Sequence, residues 1–288
     1  MARIAFLGLG VMGAPMARHL AAAGHSITVQ NRSPEKARAW VRDHGGSFAA
    51  TPAAAAGGAD AVIACVGTDD DVEAVTLGPD GAFRNMREGA VFIDHTTVSA
   101  RIARRVAEEA GRLRLLSVDA PVSGGQAGAE KGALSVMCGG SREAMAAAEP
   151  LMQAYAARIV HVGPDGAGQL AKMVNQVAIA GVLQGLSEAI HFAKAAGLDT
   201  SKTFEAVSGG AAQSWQMINR WQTMDDGSFD FGFAVDWMRK DLGLALEEAR
   251  ANGATLPLAA LVDQFYAEVQ AMGGARQDTS SLIRRLER

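Results

Sequence analysis

The chain has 288 residues, of which 49% are hydrophobic and 20% charged, an ordinary balance for a soluble protein with a sizeable core. The formal net charge of -4 provides no basic surface, which argues against nucleic acid or an anionic membrane as a partner. No apolar run is long enough to span a membrane, and the residues after Met1 lack a secretory signal pattern, so we expect a cytoplasmic protein.

Both cysteines, Cys65 and Cys138, stand at the end of an apolar run. That placement favours reduced thiols in a core over a disulfide or a metal-binding pair, and it fits a reducing compartment. The sequence therefore predicts no metal site.

Short apolar runs alternate with helical stretches from residue 1 to about residue 163. This alternation predicts βαβ units, and hence an α/β domain whose doubly wound parallel sheet carries helices on both faces. The predicted strands cover residues 4–7, 26–30, 61–66, 90–94, 114–119, 134–138 and 159–162.

A glycine cluster follows the first predicted strand and opens the first predicted helix. Gly8, Gly10 and Gly13 form a G-x-G-x-x-G pattern that encloses Val11 and Met12. Such glycines permit a tight turn, close approach of the backbone to a pyrophosphate, and close packing of helix on strand. In this context the pattern predicts a dinucleotide site in a Rossmann-type domain; the alternative is a turn with a purely structural role.

The second predicted strand ends at Asn31, Arg32 and Ser33. An NAD site normally places an acidic residue about 20 positions after the glycines, where it bonds the ribose hydroxyls. Here Arg32 offers a 2′-phosphate a bidentate contact and Ser33 offers a hydroxyl, so NADP is favoured over NAD. In the alternative interpretation, Ser33 caps the next helix and Arg32 is solvated.

Two more loops follow predicted strands, where ligands bind in such sheets. We expect Val66 and Gly67 beside the cofactor, and Thr97 at its nicotinamide end. Equally, Thr97 or Ser99 caps the helix that begins near residue 100. His95 has no paired acid or cysteine nearby in the sequence, and because a lone histidine is usually structural we assign it no catalytic role.

Ser123, Gly124 and Gly125 follow another apolar run. Consecutive glycines behind a serine allow several backbone N–H groups to point into one concavity, which suits a carboxylate. A flexible glycine-rich turn is the competing interpretation, and the residues alone leave the two open.

One long helix is predicted over residues 166–196, because proline is absent and Gly197 follows as a cap. Its first half is apolar on nearly every side, as in a helix buried between two layers or two domains. Lys172 is the one charge embedded there, and Asn175 and Gln176 share its face.

Strand patterns stop after residue 163, and helical patterns follow. We therefore predict two domains, 1–163 and 164–288, the second all-α and linked to the first by the long helix. Its further helices are predicted over residues 201–207, 214–224, 234–252, 258–272 and 279–287.

With these segments placed, the chain resembles the β-hydroxyacid dehydrogenase family. Four motifs carry the resemblance, in the family's order and across almost the whole chain: GLGVMGAPMA (8–17), DAPVSGG (119–125), GAGQLAKMVN (166–175) and KDLGLA (240–245). The resemblance implies an NAD(P)-dependent oxidoreductase that assembles as a homo-dimer or homo-tetramer.

The resemblance also implies roles for individual residues. Lys172 aligns with the family's catalytic lysine and Asn175 with the asparagine that supports it, while burial and nearby cationic groups would lower the lysine pKa towards neutrality. Ser123, Gly124 and Gly125 match the loop that binds the substrate carboxylate. A nicotinamide contact is implied for Thr97, a place beside cofactor and substrate for Lys240, and neighbouring motif positions for Phe233 and Asp241.

The resemblance implies a small carboxylate-bearing hydroxy acid or aldehyde acid as the substrate. A 3-hydroxyisobutyrate dehydrogenase-like reaction is expected, with NADPH-dependent reduction of glyoxylate, succinic semialdehyde or tartronate semialdehyde as the alternative. Trp237 departs from the family pattern and leaves substrate size open. An imine reductase and a non-catalytic NADPH-binding module are rival interpretations, and the retention of Lys172 counts against both.

Overall fold

A computed structural model describes residues 1–287. The chain divides into two compact units, Met1–Lys172 and Met173–Arg288. The boundary falls inside one continuous helix, Ala167–Ala195. No helix in the described part of the chain is both long and apolar enough to cross a bilayer.

The first unit is built on a nine-stranded sheet in the order β3-β2-β1-β4-β5-β6-β8-β7, with β9 along β8. The strands are β1 (Arg3–Leu7), β2 (Ser26–Gln30), β3 (Ser47–Phe48), β4 (Ala61–Ala64), β5 (Val91–Asp94), β6 (Leu116–Asp119), β7 (Val122–Ser123), β8 (Leu134–Gly140) and β9 (Ala156–Gly163).

The central strands β1, β4 and β5 are buried on both faces. Successive side chains of a strand point to opposite faces, so each strand contributes to two apolar layers. In β1, Ile4 and Phe6 belong to one apolar cluster and Ala5 and Leu7 to another. Pairing is parallel from β3 through to β6. The predicted α/β class with a doubly wound parallel sheet is thus confirmed.

Helices cover the sheet between its strands. Thr51, Thr68, Ser99 and Ser141 each accept a bond from the third amide of the helix they precede, which satisfies a donor that the helix itself leaves unbonded. The helices are α1 (Gly13–Ala22), α2 (Pro34–His44), α3 (Pro52–Ala56), α4 (Asp69–Thr76), α5 (Ala100–Arg112), α6 (Gly125–Lys131) and α7 (Arg142–Met152), with a 3-10 turn at Ala82–Arg84.

The sheet differs from the prediction after β6. Strand β8 runs antiparallel to both β6 and β7, and it pairs in parallel with β9. The prediction missed β3 and β7, which have two residues each and are too short to show an alternating pattern.

The second unit is helical, as expected. Its core consists of two clusters, one around Leu183, Met238 and Tyr266 and the other around Ile190 and Trp221. Its helices are the continuation of α8 (Ala167–Ala195), α9 (Thr200–Val207), α10 (Trp215–Asp225), α11 (Val235–Asn252), α12 (Pro257–Ala271) and a closing 3-10 helix, Thr279–Arg285.

One expectation about α8 is wrong. Val174 and Phe192 are both 71% exposed, so the helix is not buried on nearly every side. Ala178, Gly185 and Ala189 are exposed as well, and at 100° per residue they fall close to the same face. These five residues therefore form an apolar face of α8 that is exposed to solvent in a single chain.

Candidate active site

The glycine loop after β1 has the shape that a dinucleotide requires. Gly8 has φ +96°, and a Cβ there would lie 2.2 Å from the Cys65 carbonyl oxygen. A Cβ on Gly13 would lie 2.0 Å from the Gly8 carbonyl oxygen. The fold itself thus needs these two glycines.

Gly10 is different, because a Cβ on it would meet no atom within 4 Å. Space above a glycine at the start of a helix is what close approach of a pyrophosphate needs, and the helix dipole favours an anion there. Met12 stands at the N-cap of α1 without a side-chain cap bond, and Val11 is exposed beside it. This geometry fits a dinucleotide phosphate group.

Asn31 ties the end of β2 to this loop. Its Oδ1 accepts from the Leu9 N–H at 2.9 Å, and its Nδ2 donates to the Ser33 carbonyl at 3.1 Å. Ser33 occupies the N-cap position of α2, yet its side chain makes no cap bond. The Arg32 side chain is 93% exposed and makes a 3.4 Å ion pair with Asp71, a contact that solvent screens and that a ligand can displace.

The loops after β4 and β5 are joined to each other. The Val66 N–H donates to the Thr96 Oγ1 at 3.0 Å, which places the half-buried Gly67 and Thr97 in adjoining loops. The cap of α5 is Ser99, whose Oγ accepts from the Ile102 N–H at 3.1 Å. Of the two alternatives for capping α5, Ser99 is therefore correct.

Gln169, in the first turn of α8, had no assigned role in the sequence. It is fully buried, its Oε1 accepts from the Val98 N–H at 3.0 Å, and its Nε2 donates to the Thr96 carbonyl at 2.7 Å. The only sequence signal was a polar residue in an otherwise apolar stretch. The structure connects this side chain to a loop about 70 residues earlier.

Asp119, at the end of β6, holds the start of α8. Its two carboxylate oxygens accept from the Gly166 N–H at 2.7 Å and from the Gln169 N–H at 2.9 Å. Burial raises the pKa of Asp119 to about 6, although the two backbone bonds oppose the rise. The helix that carries Lys172 is thus anchored at the carboxyl ends of the parallel strands.

Lys172 is the last residue of the first unit and is only 8% exposed. It lies three residues beyond Gln169, so the two side chains leave the same face of α8. A cationic or proton-transferring group in so apolar a stretch needs polar partners, and Lys172 has at least one hydrogen-bonding, ring or charged partner.

The loop predicted to bind a carboxylate joins β7 to α6. Gly124 and Gly125 have φ angles of +126° and +60°, which only glycine adopts readily. A Cβ on Gly125 would meet nothing within 4 Å, and both glycines are exposed beside the half-buried Ser123. The backbone is therefore open to a ligand.

A polar chain runs through the second unit from Asn175 to Lys240. The Asn175 Nδ2 donates to the Gln176 Oε1 at 2.7 Å, and the Gln176 Nε2 donates to the Asp241 Oδ2 at 2.7 Å. The Lys240 Nζ lies 3.2 Å from the Asp241 Oδ1 and 5.7 Å from the Trp237 ring centroid. Gln176 and Asp241 together thus link two of the predicted site residues, Asn175 and Lys240.

This series of hydrogen bonds has one direction only, because an ionised carboxylate accepts hydrogen bonds and cannot donate them. Asp241 must receive the Gln176 amide group, so the Gln176 carbonyl faces Asn175, which in turn must donate. The Asn175 Oδ1 takes no part in these bonds. Phe233, the remaining predicted residue in this unit, is half-buried and donates its N–H to the Asp278 Oδ2 at 2.9 Å.

His95 lies behind the Thr97 loop in a buried network. Its Nδ1 donates to the Ala120 carbonyl at 2.6 Å, so in the neutral ring its Nε2, 2.8 Å from the Tyr155 hydroxyl, is the acceptor. Burial lowers the pKa of His95 to about 4 and raises that of Tyr155. Both ring nitrogens are thus engaged inside the core, as in a histidine with a structural role.

Two family models match the chain. Residues 3–163 match the NAD binding domain of 6-phosphogluconate dehydrogenase, and residues 166–286 match the NAD-binding domain of NADP-dependent 3-hydroxyisobutyrate dehydrogenase. Together the two models cover nearly all of the described residues.

Individual relatives agree with these models over nearly their full lengths. A Shewanella frigidimarina protein named "Uncharacterized oxidoreductase" is 59% identical over 100% of this chain and 99% of its own. The Pseudomonas aeruginosa 3-hydroxyisobutyrate dehydrogenase is 37% identical over 92% of this chain and 91% of its own.

A solved structure gives the same result. Mycobacterium tuberculosis 3-hydroxyisobutyrate dehydrogenase with L-serine has a TM-score of 0.90 and 33% identity, with all of both chains covered. The glycine loop, the two family models and these full-length relatives lead to one conclusion. The chain belongs to the β-hydroxyacid dehydrogenase family of NAD(P)-dependent oxidoreductases.

Proposed function

We propose that this enzyme interconverts a small β-hydroxy acid and its aldehyde acid, in the manner of 3-hydroxyisobutyrate dehydrogenases, with Lys172 as the general acid and base. The observation that carries the proposal is the placement of Lys172. It is buried on a helix that Asp119 and Gln169 attach to the carboxyl ends of β5 and β6, where ligands bind in such sheets.

The reaction divides between cofactor and protein. A bound nicotinamide supplies the hydride chemistry. For oxidation, the hydroxyl proton passes to a neutral Lys172 Nζ. The hydride leaves the carbon that bears this hydroxyl, and the C=O bond forms between that carbon and the oxygen. For reduction, a protonated Lys172 returns the proton to the carbonyl oxygen.

The other site residues bind and orient the reactants. The open backbone at Ser123, Gly124 and Gly125 holds the substrate carboxylate, and Asn175 serves as the asparagine that supports the catalytic lysine in this family. Thr97, together with Val66 and Gly67, lies at the nicotinamide end. Lys240 and Phe233 are the further residues to which we assign a part in ligand binding.

Replacing Lys172 tests this role. In Lys172→Ala we expect kcat to fall about a hundredfold or more, as for loss of a general acid-base, while NADPH binding measured by fluorescence is largely kept. Lys172→Arg should be equally impaired, because a guanidinium does not release its proton. Lys202→Ala, an exposed lysine on α9, is the control. Near-normal turnover in Lys172→Ala would refute the assignment.

NADP is the cofactor we propose as preferred, with NAD as the alternative. The support is Arg32, which is nearly fully exposed beside the glycine loop and held only by a screened ion pair. Since NADPH commonly drives reduction, Arg32 also favours a second candidate function, the reduction of glyoxylate, succinic semialdehyde or tartronate semialdehyde.

Removing this arginine separates the two cofactors. In Arg32→Ala the KM for NADPH should rise about tenfold or more through loss of a charge-assisted contact, while the KM for NADH stays unchanged. Arg42→Ala, at an exposed site on α2, should change neither value. Equal effects on both cofactors would show that Arg32 does not recognise the 2′-phosphate.

An initial-rate screen decides the substrate. 3-Hydroxyisobutyrate oxidation and the reduction of the three aldehyde acids would be measured with both cofactors by absorbance at 340 nm. One pair with a kcat/KM well above the others identifies the reaction. Turnover of no pair, despite NADPH binding, would instead support a non-catalytic binding protein.

We also propose that the protein forms a homo-dimer or homo-tetramer through α8. The exposed face formed by Val174, Ala178, Gly185, Ala189 and Phe192 is uncharged along its centre, and its small residues permit close approach of another helix. A second copy would bury it.

A further inference from the structure

Gln169 bonds to the two peptide groups that flank Thr97. The Thr96 carbonyl belongs to the peptide before Thr97, and the Val98 N–H belongs to the peptide after it. The side-chain amide of Gln169 accepts from the Val98 N–H at 3.0 Å and donates to the Thr96 carbonyl at 2.7 Å. This side chain therefore pairs with the loop as a neighbouring strand would.

Few side chains can replace glutamine here. Thr96 and Val98 are buried, so an apolar replacement would leave a buried carbonyl and a buried N–H without these partners. An ionised glutamate would keep an acceptor for Val98 but would offer no donor to the Thr96 carbonyl. The site therefore requires one donor and one acceptor on the same side chain.

The backbone of Gln169 is fixed as well. Its N–H donates to Asp119, and it lies one turn before Lys172 on the same helix face. A single residue thus connects the loop that carries Thr97 to the helical turn that carries Lys172.

We infer that Gln169 is a positioning residue that fixes Thr97 relative to Lys172. The inference rests on the proposed function, in which Thr97 contacts the nicotinamide and Lys172 moves the proton. Hydride and proton leave the same substrate H–C–O–H group, so the groups that serve them must keep a fixed separation.

The first experiment needs no cofactor. Hydrogen exchange of the apoprotein, followed by mass spectrometry of a peptide covering residues 96–100, reports the Val98 amide. In Gln169→Leu we expect its protection to fall about tenfold or more through loss of the bond. The control is Gln184→Leu, a buried glutamine on the same helix that bonds Glu188, and it should leave this peptide unchanged.

The second experiment measures the consequence for turnover. In Gln169→Leu we expect kcat to fall about 10- to 100-fold, because misplacement by about 1 Å has effects of this size, while NADPH affinity changes less than about threefold. Binding is largely kept because the phosphate loop at Gly8–Gly13 makes no bond to Gln169. Gln184→Leu should retain the wild-type kcat.

In Gln169→Glu, the pH dependence of kcat distinguishes a positioning role from a merely structural one. The protonated carboxyl group of this variant can donate to the Thr96 carbonyl and accept from Val98, whereas its ionised form cannot donate. Burial should raise the pKa of this glutamate. The ratio of variant to wild-type kcat should therefore rise about tenfold as pH falls from 8 to 5.5.

These experiments have distinct outcomes. Wild-type exchange at residues 96–100 in Gln169→Leu overturns the bonding role, and lost protection with a wild-type kcat overturns the positioning role. If Gln169→Leu does not fold, the pH ratio for Gln169→Glu decides, and a flat ratio refutes the inference. If the wild type turns over no substrate, the proposed function fails and the positioning role with it, while the exchange result still judges the bond.

Discussion

At the scale of single residues, the buried imidazole of His95 makes stability depend on pH. The folded protein keeps the ring neutral down to about pH 4, whereas an unfolded chain protonates it near pH 6.5. Between these values the unfolded state binds more protons, so falling pH destabilises the fold through His95. The gap corresponds to a contribution on the order of 3 kcal/mol.

Asp119 acts in the opposite direction. Its folded-state pKa of about 6 lies above its ordinary value of 3.8, so the folded state takes up this proton first and gains stability as pH falls through that range. The wild-type pH profile therefore combines opposing contributions, and His95 must be isolated by comparison with a variant.

His95→Gln provides that comparison, because it keeps one donor and one acceptor without a titrating group. From pH 6.5 to 4, the wild-type unfolding free energy should fall by about 3 kcal/mol relative to that of the variant. Urea unfolding at pH 7, 6, 5 and 4 measures both. Parallel pH profiles would show that His95 is protonated alike in the folded and unfolded states.

At the scale of elements, α8 depends on glycines where it meets the sheet. A Cβ on Gly168 would lie 2.4 Å from the Met137 carbonyl oxygen and 2.5 Å from that of Asp119. A Cβ on Gly139 would lie 2.4 Å from the Asp119 Oδ1. The helix thus approaches β6 and β8 backbone to backbone, which brings its amides within reach of Asp119.

A single added methyl group should break this contact. Gly168→Ala should lower the free energy of unfolding by about 2–3 kcal/mol, because backbone atoms must shift to admit the Cβ. Gly111→Ala lies in the last turn of α5 in the same unit, where a Cβ would meet nothing within 4 Å, and it should stabilise by up to about 1 kcal/mol. Equal effects of the two changes, read by denaturant unfolding, would contradict the steric explanation.

At the scale of the whole molecule, the exposed apolar face of α8 predicts assembly. Phe192→Glu would place a charge in that interface, so light scattering after size-exclusion chromatography should show a smaller assembly than the wild type. Leu113→Glu changes an exposed leucine next to α5 and should leave the mass unaltered. A monomeric wild-type protein would refute assembly through α8. An oligomer whose mass Phe192→Glu leaves unchanged would refute it as well.

Much of the fold could be predicted from local patterns. These patterns are properties of neighbouring residues. They are the apolar runs of the strands, the glycines of the turn after β1, and the helix-forming composition of α8. They identified seven strands, the glycine loop and the helical second unit. The direction of β8 escaped this reasoning, since the pattern of an interior strand does not depend on whether its partner is parallel.

The sequence by itself determined the fold class, the family and the identity of the residues proposed for the site, because motifs and periodicity are local. Only the tertiary structure decided how these residues are held. Gln169 bonds a loop 71 and 73 residues away, and Gln176 bonds Asp241 65 residues away. Bonds between side chains so distant along the chain leave no periodic signal, and they exist only once the helices and strands have packed.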